Sequence, residues 1–465
     1  MRGLTLKNIA KACAGEYIGC EEAKNQEVTS VETDSRKIKQ HSLFIALLGE
    51  KVDGHDFVTQ VFEQGAACVI SEKKLELPPD QPYIYVNSTY QALKDIAKYY
   101  RSILNIKVVG ITGSVGKTST KEMIASVLGK HYQVLKTQGN FNNEVGLPLT
   151  VLNIRDEHEV AVLEMGISDF GEMHRLSEIA KPDICVITNI GQCHLENLKT
   201  KQGILDAKSE IFDFISEEGS VCLNGDDPLL RTIQSVKQIQ PVFFGLSDHN
   251  DVFATDILNK GLLGTQCTIH AAGETFEVQI PIPGEHMVDN ALAATAVGIE
   301  LSLSIQEIKE GIESVEAISG RSHLIFSPNC LMIDDCYNAN PVSMKAAIDL
   351  LCLATTRKVA FLGDMFELGA NEVKLHKEIG KYAASKEMDL LIFVGKLAVY
   401  MEEAAQQHCY ETQNTKTKCL HFKTKEEAED QLQYLLKKND TILVKASHGM
   451  HFEETIQLVK TLDLQ

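Results

Sequence analysis

Residues 106–130 read IKVVGITGSVGKTSTKEMIASVLGK, and the order of their parts decides the fold. The β-branched run 106–112 has the pattern of a buried strand, a glycine-rich turn follows, and the residues after it take helical spacing. Such a strand, turn and helix form a cradle for nucleotide phosphates. Gly113 and Gly116 let backbone N–H groups face phosphate oxygens, with Ser114, Val115 and Ser119 completing the loop, and the helix start adds the positive end of its dipole. Lys117 reaches the β and γ phosphates and the Thr118 hydroxyl suits Mg²⁺. The spacing departs from the general phosphate-loop pattern, which asks for glycine where Ile111 stands.

Working outward, apolar runs alternate with helical periodicity in two blocks, the signature of α/β layers with parallel sheets. Strands are predicted at 106–112, 160–166, 184–191 and 220–225 in the middle block. In the last block they are predicted at 330–340, 358–365, 390–396 and 441–447. Polar residues close each run, which is where open parallel sheets bind ligands. The first block has short β-rich pieces and one evident helix near 57–64. A proline-containing stretch, 77–88, ends it, and Ser88 or Thr89 is placed to cap the next helix. The expectation is an α/β protein of three domains. These are a small α+β amino-terminal module (1–86), a central phosphate-loop domain with a mostly parallel sheet (87–317) and a carboxyl-terminal Rossmann-like α/β domain (318–465).

A chain of 465 residues suits three domains of about 150 residues each. Its net charge of −19 is unsuited to coating nucleic acid or anionic lipid. The longest apolar run, residues 43–48, is far short of the ~20 residues a membrane helix needs. Lys7 and Lys11 interrupt what would have to be the apolar core of an export signal, so a cytoplasmic location is expected. The twelve cysteines are dispersed with no C-x-x-C pair, and read as buried thiols.

The loop GITGSVGKTS resembles that of the Mur ligase superfamily, which makes amide bonds on peptidoglycan precursors and folates. TQGNFNNEVGLPLT (137–150), the stretch 163–196, DAKSEIF (206–212), GEHMVDNALAATAV (284–297), SGR (319–321), DDCYNANPVSMKAA (334–347) and FLGDMFELG (361–369) follow in the order of that superfamily's marks. DDCYNANP and LGDMFELG are the most specific. They point to the branch that joins D-alanyl-D-alanine to UDP-MurNAc-tripeptide, and the DNPR segment of the preceding ligase is absent. The resemblance implies a monomeric enzyme using ATP and two Mg²⁺ ions through an acyl phosphate. Another amide ligase of the superfamily, or a phosphate-loop switch or motor, are the competing readings.

The resemblance also assigns residues. Glu164, at a strand end, and His194 would hold metal with Thr118. Hard cations favour the former's oxygens, whereas His194 taken alone reads as a hydrogen-bonded loop histidine. Lys208 matches the lysine these enzymes carbamylate, although ILDAKSEIF by itself reads as an exposed helical turn. Asn142 and Asn143 would contact substrate or phosphate, or else form turns. Asn290 falls near adenine, Arg321 at the phosphates and Asp335 at a ribose hydroxyl. Asn338 and Asn340 would line the same cleft, with an Asx turn before Pro341 as the alternative. Ser35 and Arg36 of TDSR, and Asp53 and His55 of VDGHDF, resemble contacts to the uridine nucleotide or its peptide. The segment VKASHGMHFEE (444–454) departs from the family's VKGSR, so Lys445, Ser447 and His448 receive no role.

Overall fold

The computed structural model describes residues 1–464 apart from 50, 51, 192, 194, 285, 318, 319, 321, 322, 367 and 387. His194 and Arg321 therefore lie outside the described residues. The architecture is α/β, built on three sheets.

The first sheet has five short strands in the order Glu16–Ile18, Tyr83–Tyr85, Cys68–Ser71, Leu43–Ile45, Val31–Glu32, and only its first pairing is antiparallel. Ser88 caps the long helix Thr89–Ile103 through its hydroxyl, which accepts from the Gln91 N–H. One apolar face of that helix, including Leu93, Ile96 and Tyr100, is buried. It belongs to a continuous core that also takes in Leu43 and Ile70 of the first sheet and Leu163 and Ile187 of the second.

The second sheet has nine strands. Its parallel heart runs Val242–Gly245, Ser220–Asn224, Ile184–Ile187, Lys107–Thr112, Val160–Glu164, Val134–Lys136. Strand Val252–Asn259 joins it in parallel, and Thr265–Ala271 and Glu274–Ile280 extend it. The third sheet orders His323–Phe326, Cys330–Asp334, Asp440–Lys445, Lys358–Gly363, Leu390–Val394, Lys418–Phe422, all parallel except the first pair. Strand order reverses where Asp440–Lys445 inserts between Cys330–Asp334 and Lys358–Gly363, the place at which such sheets open a crevice at their carboxyl ends.

The chain divides into two compact units. One comprises Met1–Thr255, Thr268–Val278 and Val288–Ser314, and the other Asp256–Cys267, Gln279–Met287 and Val315–Gln465. All twelve cysteines are free thiols. Among the described residues, no helix is long and apolar enough to cross a membrane.

Candidate functional site

Strand Lys107–Thr112 lies between Val160–Glu164 and Ile184–Ile187, with Ile111 opposite Glu164 and Thr112 opposite Ile187. Three strand ends thus converge where the glycine loop begins. Gly113 has φ +154°, and a Cβ there would stand 2.0 Å from Thr188 Oγ1. Gly116 has φ +81° and starts the helix Lys117–Leu128. At Gly113 both the backbone angle and the want of space exclude a side chain, whereas at Gly116 the left-handed backbone alone disfavours one. The segment after Ile187 then latches the loop. Thr188 Oγ1 and Asn189 Nδ2 donate to the Val115 carbonyl at 2.8 and 3.0 Å, and Val115 N–H donates to Asn189 Oδ1 at 3.0 Å. Ile190 N–H donates to Asp227 at 2.7 Å.

Two lysines meet at one acceptor. Lys117 Nζ and Lys208 Nζ donate to the Gly113 carbonyl at 2.9 and 3.0 Å. Lys208, on helix Lys201–Ser209, is 1 % exposed. Its local sequence reads as a solvated turn, but the helix turns this face inward. Burial first, and then the neighbouring Lys117 charge, pull its amine down to about 8. Thr118 and Ser119 are half-buried in the first helical turn.

Glu164 is buried, and its two carboxylate oxygens differ. Oε1 accepts from Asn142 Nδ2 at 2.8 Å, while Oε2 is buried without a hydrogen-bond partner. The Glu164 N–H donates to Thr137 Oγ1 at 2.9 Å. Asn143 caps the turn ahead of helix Gly146–Val151, accepting from Val145 and Gly146 N–H at 3.2 and 2.8 Å. Asn290 is buried, and its Oδ1 accepts from Thr120 of the loop helix at 2.7 Å. Among the described residues, no three His, Cys, Asp or Glu side chains gather into a metal cluster.

In the second unit Asp335 follows strand Cys330–Asp334 and pairs with the buried Lys445 at 2.6 Å. Lys445 also donates to the Asn338 carbonyl at 2.9 Å. Asn338 and Asn340, with Tyr337, Phe366, Ser447 and His448, line a cavity of about 390 Å³ at these strand ends. Asn340 is the cap of helix Pro341–Cys352, accepting from Ser343 N–H at 2.9 Å. Asp364 of the LGDM motif accepts from the N–H groups of Lys396, Leu397 and Ala398, so its carboxylate is structural.

In the first sheet's neighbourhood, Ser35 is buried and Arg36 is exposed and paired with Asp34 at 2.8 Å, which holds the Asp34 carboxyl down to about 2. Asp53 is engaged locally: it accepts from His55 Nδ1 at 2.6 Å and Lys73 at 2.7 Å, which lowers its pKa. His55 Nε2 accepts from the Glu72 N–H at 3.1 Å.

Sequence reasoning passed over Asn189, Asp227, Thr137 and Lys121. Only Lys121 carried a signal, a lysine one turn beyond Lys117 on the helix face that continues through Ile124, Ala125 and Leu128.

Residues 27–101 match the Mur ligase family catalytic domain, 111–298 the Mur ligase middle domain and 320–448 the Mur ligase glutamate ligase domain. The chain belongs to the Mur ligase family. It is 41% identical to the UDP-N-acetylmuramoyl-tripeptide–D-alanyl-D-alanine ligase of Bacillus subtilis over 97% of both chains. It is 32% identical to the ligase of that name from Escherichia coli K12 over 99% of both. Its fold is similar to a crystal structure of MurF from Acinetobacter baumannii, with TM-score 0.89, 33% identity and 98% of both chains covered. MurF ligase from Thermotoga maritima, solved in complex with ADP, is similar at TM-score 0.78 and 28% identity, covering 93% of this chain and 97% of that one.

Proposed function

We propose that this protein is an ATP-dependent amide ligase that joins D-Ala-D-Ala to UDP-MurNAc-tripeptide, giving UDP-MurNAc-pentapeptide, ADP and phosphate for peptidoglycan synthesis. One observation carries the chemistry: two lysines converge on the Gly113 carbonyl of the phosphate loop, and Glu164, on the strand next to the one that leads into the loop, is a buried carboxylate with one oxygen that accepts no hydrogen bond. The relatives' names, over almost the full chain, support the substrate pair.

In this reading the loop N–H groups and Lys117 bind and orient the ATP phosphates, and Asn290 lies toward the adenine. The tripeptide's terminal carboxylate attacks the γ-phosphorus and ADP leaves, so an acyl phosphate forms on the substrate. The amine of D-Ala-D-Ala then attacks the acyl carbon and phosphate departs. Arg321 would stabilise the transferring charge and Asp335 would hold a ribose hydroxyl. Ser35, Arg36, Asp53 and His55 serve the uridine nucleotide or its peptide, Asn142 and Asn143 contact substrate or phosphate, and Asn338 and Asn340 line the cleft with Asp335. The corresponding domains are 1–86, 87–317 and 318–465, one around each sheet.

Glu164 fits a hard divalent cation, since its buried Oε2 accepts no hydrogen bond and is open to a metal. Thr118, His194 and a carbamylated Lys208 complete the proposed ligand set. Bound Mg²⁺ would neutralise charge on the transferring phosphoryl group. The low basicity of Lys208 favours carbamylation: its neutral amine attacks CO₂, a C–N bond forms and one proton is released, leaving an anionic oxygen donor. The enzyme is read as a cytoplasmic monomer, and its twelve free thiols accord with a reducing compartment.

The test is to incubate the protein with ATP, Mg²⁺, UDP-MurNAc-tripeptide and D-Ala-D-Ala and detect the pentapeptide by mass. Phosphate release at full rate without the amine substrate, and no pentapeptide, would refute the reading.

A further inference from the structure

Lys121 has no part in the chemistry above, yet it is 1 % exposed, as deeply buried as Lys208. A lysine with no task inside normally threads its stem outward and keeps its ammonium in water. Lys121 instead follows Lys117 by one turn on the phosphate-loop helix and points its charge into the protein. Its Nζ donates to the Thr137 carbonyl at 2.5 Å, and lies 3.1 Å from Glu122 Oε1 and 4.0 Å from Glu164 Oε2. The second oxygen of Glu122 is taken by Lys136.

Thr137 is the hub of this arrangement. Its N–H donates to the Val162 carbonyl at 3.0 Å and its hydroxyl accepts from the Glu164 N–H at 2.9 Å. It also opens the segment whose Asn142 holds Glu164 Oε1. Lys121 therefore ties the phosphate-loop helix to the groups that orient Glu164 from two sides. At 4.0 Å its ammonium is too distant to hydrogen-bond Oε2 but close enough to attract its charge. Glu122 keeps it at that distance.

We infer that Lys121 is a positioning residue for the divalent cation: held by Thr137 and Glu122, it fixes the Glu164 carboxylate to the phosphate loop while leaving one oxygen unclaimed for metal. This rests on the reading of Glu164 as a metal ligand. It also has a counterintuitive sign. A lysine that acted only through its charge would repel a dication, so its removal would strengthen metal binding. A positioning lysine predicts the opposite.

The experiment measures Mn²⁺ binding to the full-length protein by electron paramagnetic resonance of the unbound ion, with ATP present, alongside thermal melting. Lys121→Met should weaken Mn²⁺ by about tenfold or more, the usual consequence of losing a partner that orients a ligand. Glu122→Gln should also weaken it, because the released ammonium moves onto Glu164 Oε2 and competes with the ion. Glu164→Gln is the control. If it leaves Mn²⁺ affinity unchanged, the metal reading of Glu164 fails and this inference with it. If Glu164→Gln weakens binding but Lys121→Met leaves it equal or tighter, whatever the melting temperature does, Lys121 is not a positioning residue. Should Lys121→Met fail to fold, Glu122→Gln decides alone, and unchanged or tighter binding in it overturns the inference.

Discussion

Lys208 offers a quantitative test. Its amine is held at about 8 against an ordinary 10.5, chiefly because it is buried and secondarily because Lys117 is near. At pH 8 about half of such a group is neutral, whereas an ordinary lysine is neutral in only ~0.3% of molecules, a difference on the order of 150-fold in nucleophilic amine. Trace labelling with a small amine-selective acylating reagent, read by peptide mass spectrometry against pH, should give Lys208 a midpoint near 8 while surface lysines rise only above pH 10. Stability carries the same signature. Below pH 8 native Lys208 is charged and bears the whole desolvation cost, about 3 kcal/mol from the shift. Between pH 8 and 10.5 the unfolded chain binds more protons at this position than the native one, so wild type gains stability as pH rises, and Lys208→Met lacks that gain. A labelling midpoint at 10 or above, with identical pH profiles for wild type and variant, would refute the argument that burial tunes this lysine.

Lys117→Met should abolish pentapeptide formation with the melting temperature little changed, because one phosphate-binding cation goes and the apolar stem remains. Near-normal turnover would remove the loop from the mechanism. Lys208→Ala should be nearly inactive and regain part of its rate with short-chain carboxylic acids, which supply an oxygen donor in the vacated space, as steady-state assays with and without added acid would reveal. Asn340→Ala should lower the stability of the second unit by about 1 kcal/mol in denaturant titrations through loss of the helix cap, and Asn340→Asp should restore it. Tyr100→Phe removes the buried hydroxyl that donates to the Ile154 carbonyl at 2.8 Å. It should cost about 1 kcal/mol in the same measurement without altering ligation.

The phosphate loop, the central strands and the carboxyl-terminal strand ends were legible in the amino-acid sequence because their determinants are local. A buried parallel strand is a short apolar run, a glycine at positive φ is demanded by its own turn, and a cap such as Ser88 or Asn340 acts within three residues. Strands Val134–Lys136, His323–Phe326 and Lys418–Phe422 were missed, being short or half-exposed edges whose pairing comes from distant segments, and Val242–Gly245, Val252–Asn259, Thr265–Ala271 and Glu274–Ile280 of the second sheet were missed as well. Within the candidate site, residue types were readable and their state was not. DAKSEIF looks like a solvated turn, and only the packing of Lys201–Ser209 under the loop buries Lys208 and aims it at Gly113. Nothing near Glu164 in sequence says that Asn142 claims one oxygen and leaves the other unpaired, or that Lys121 lies 4.0 Å away. Burial, basicity and the pairing of individual oxygens depend on which groups the folded chain gathers from far apart, and those the tertiary structure alone decided.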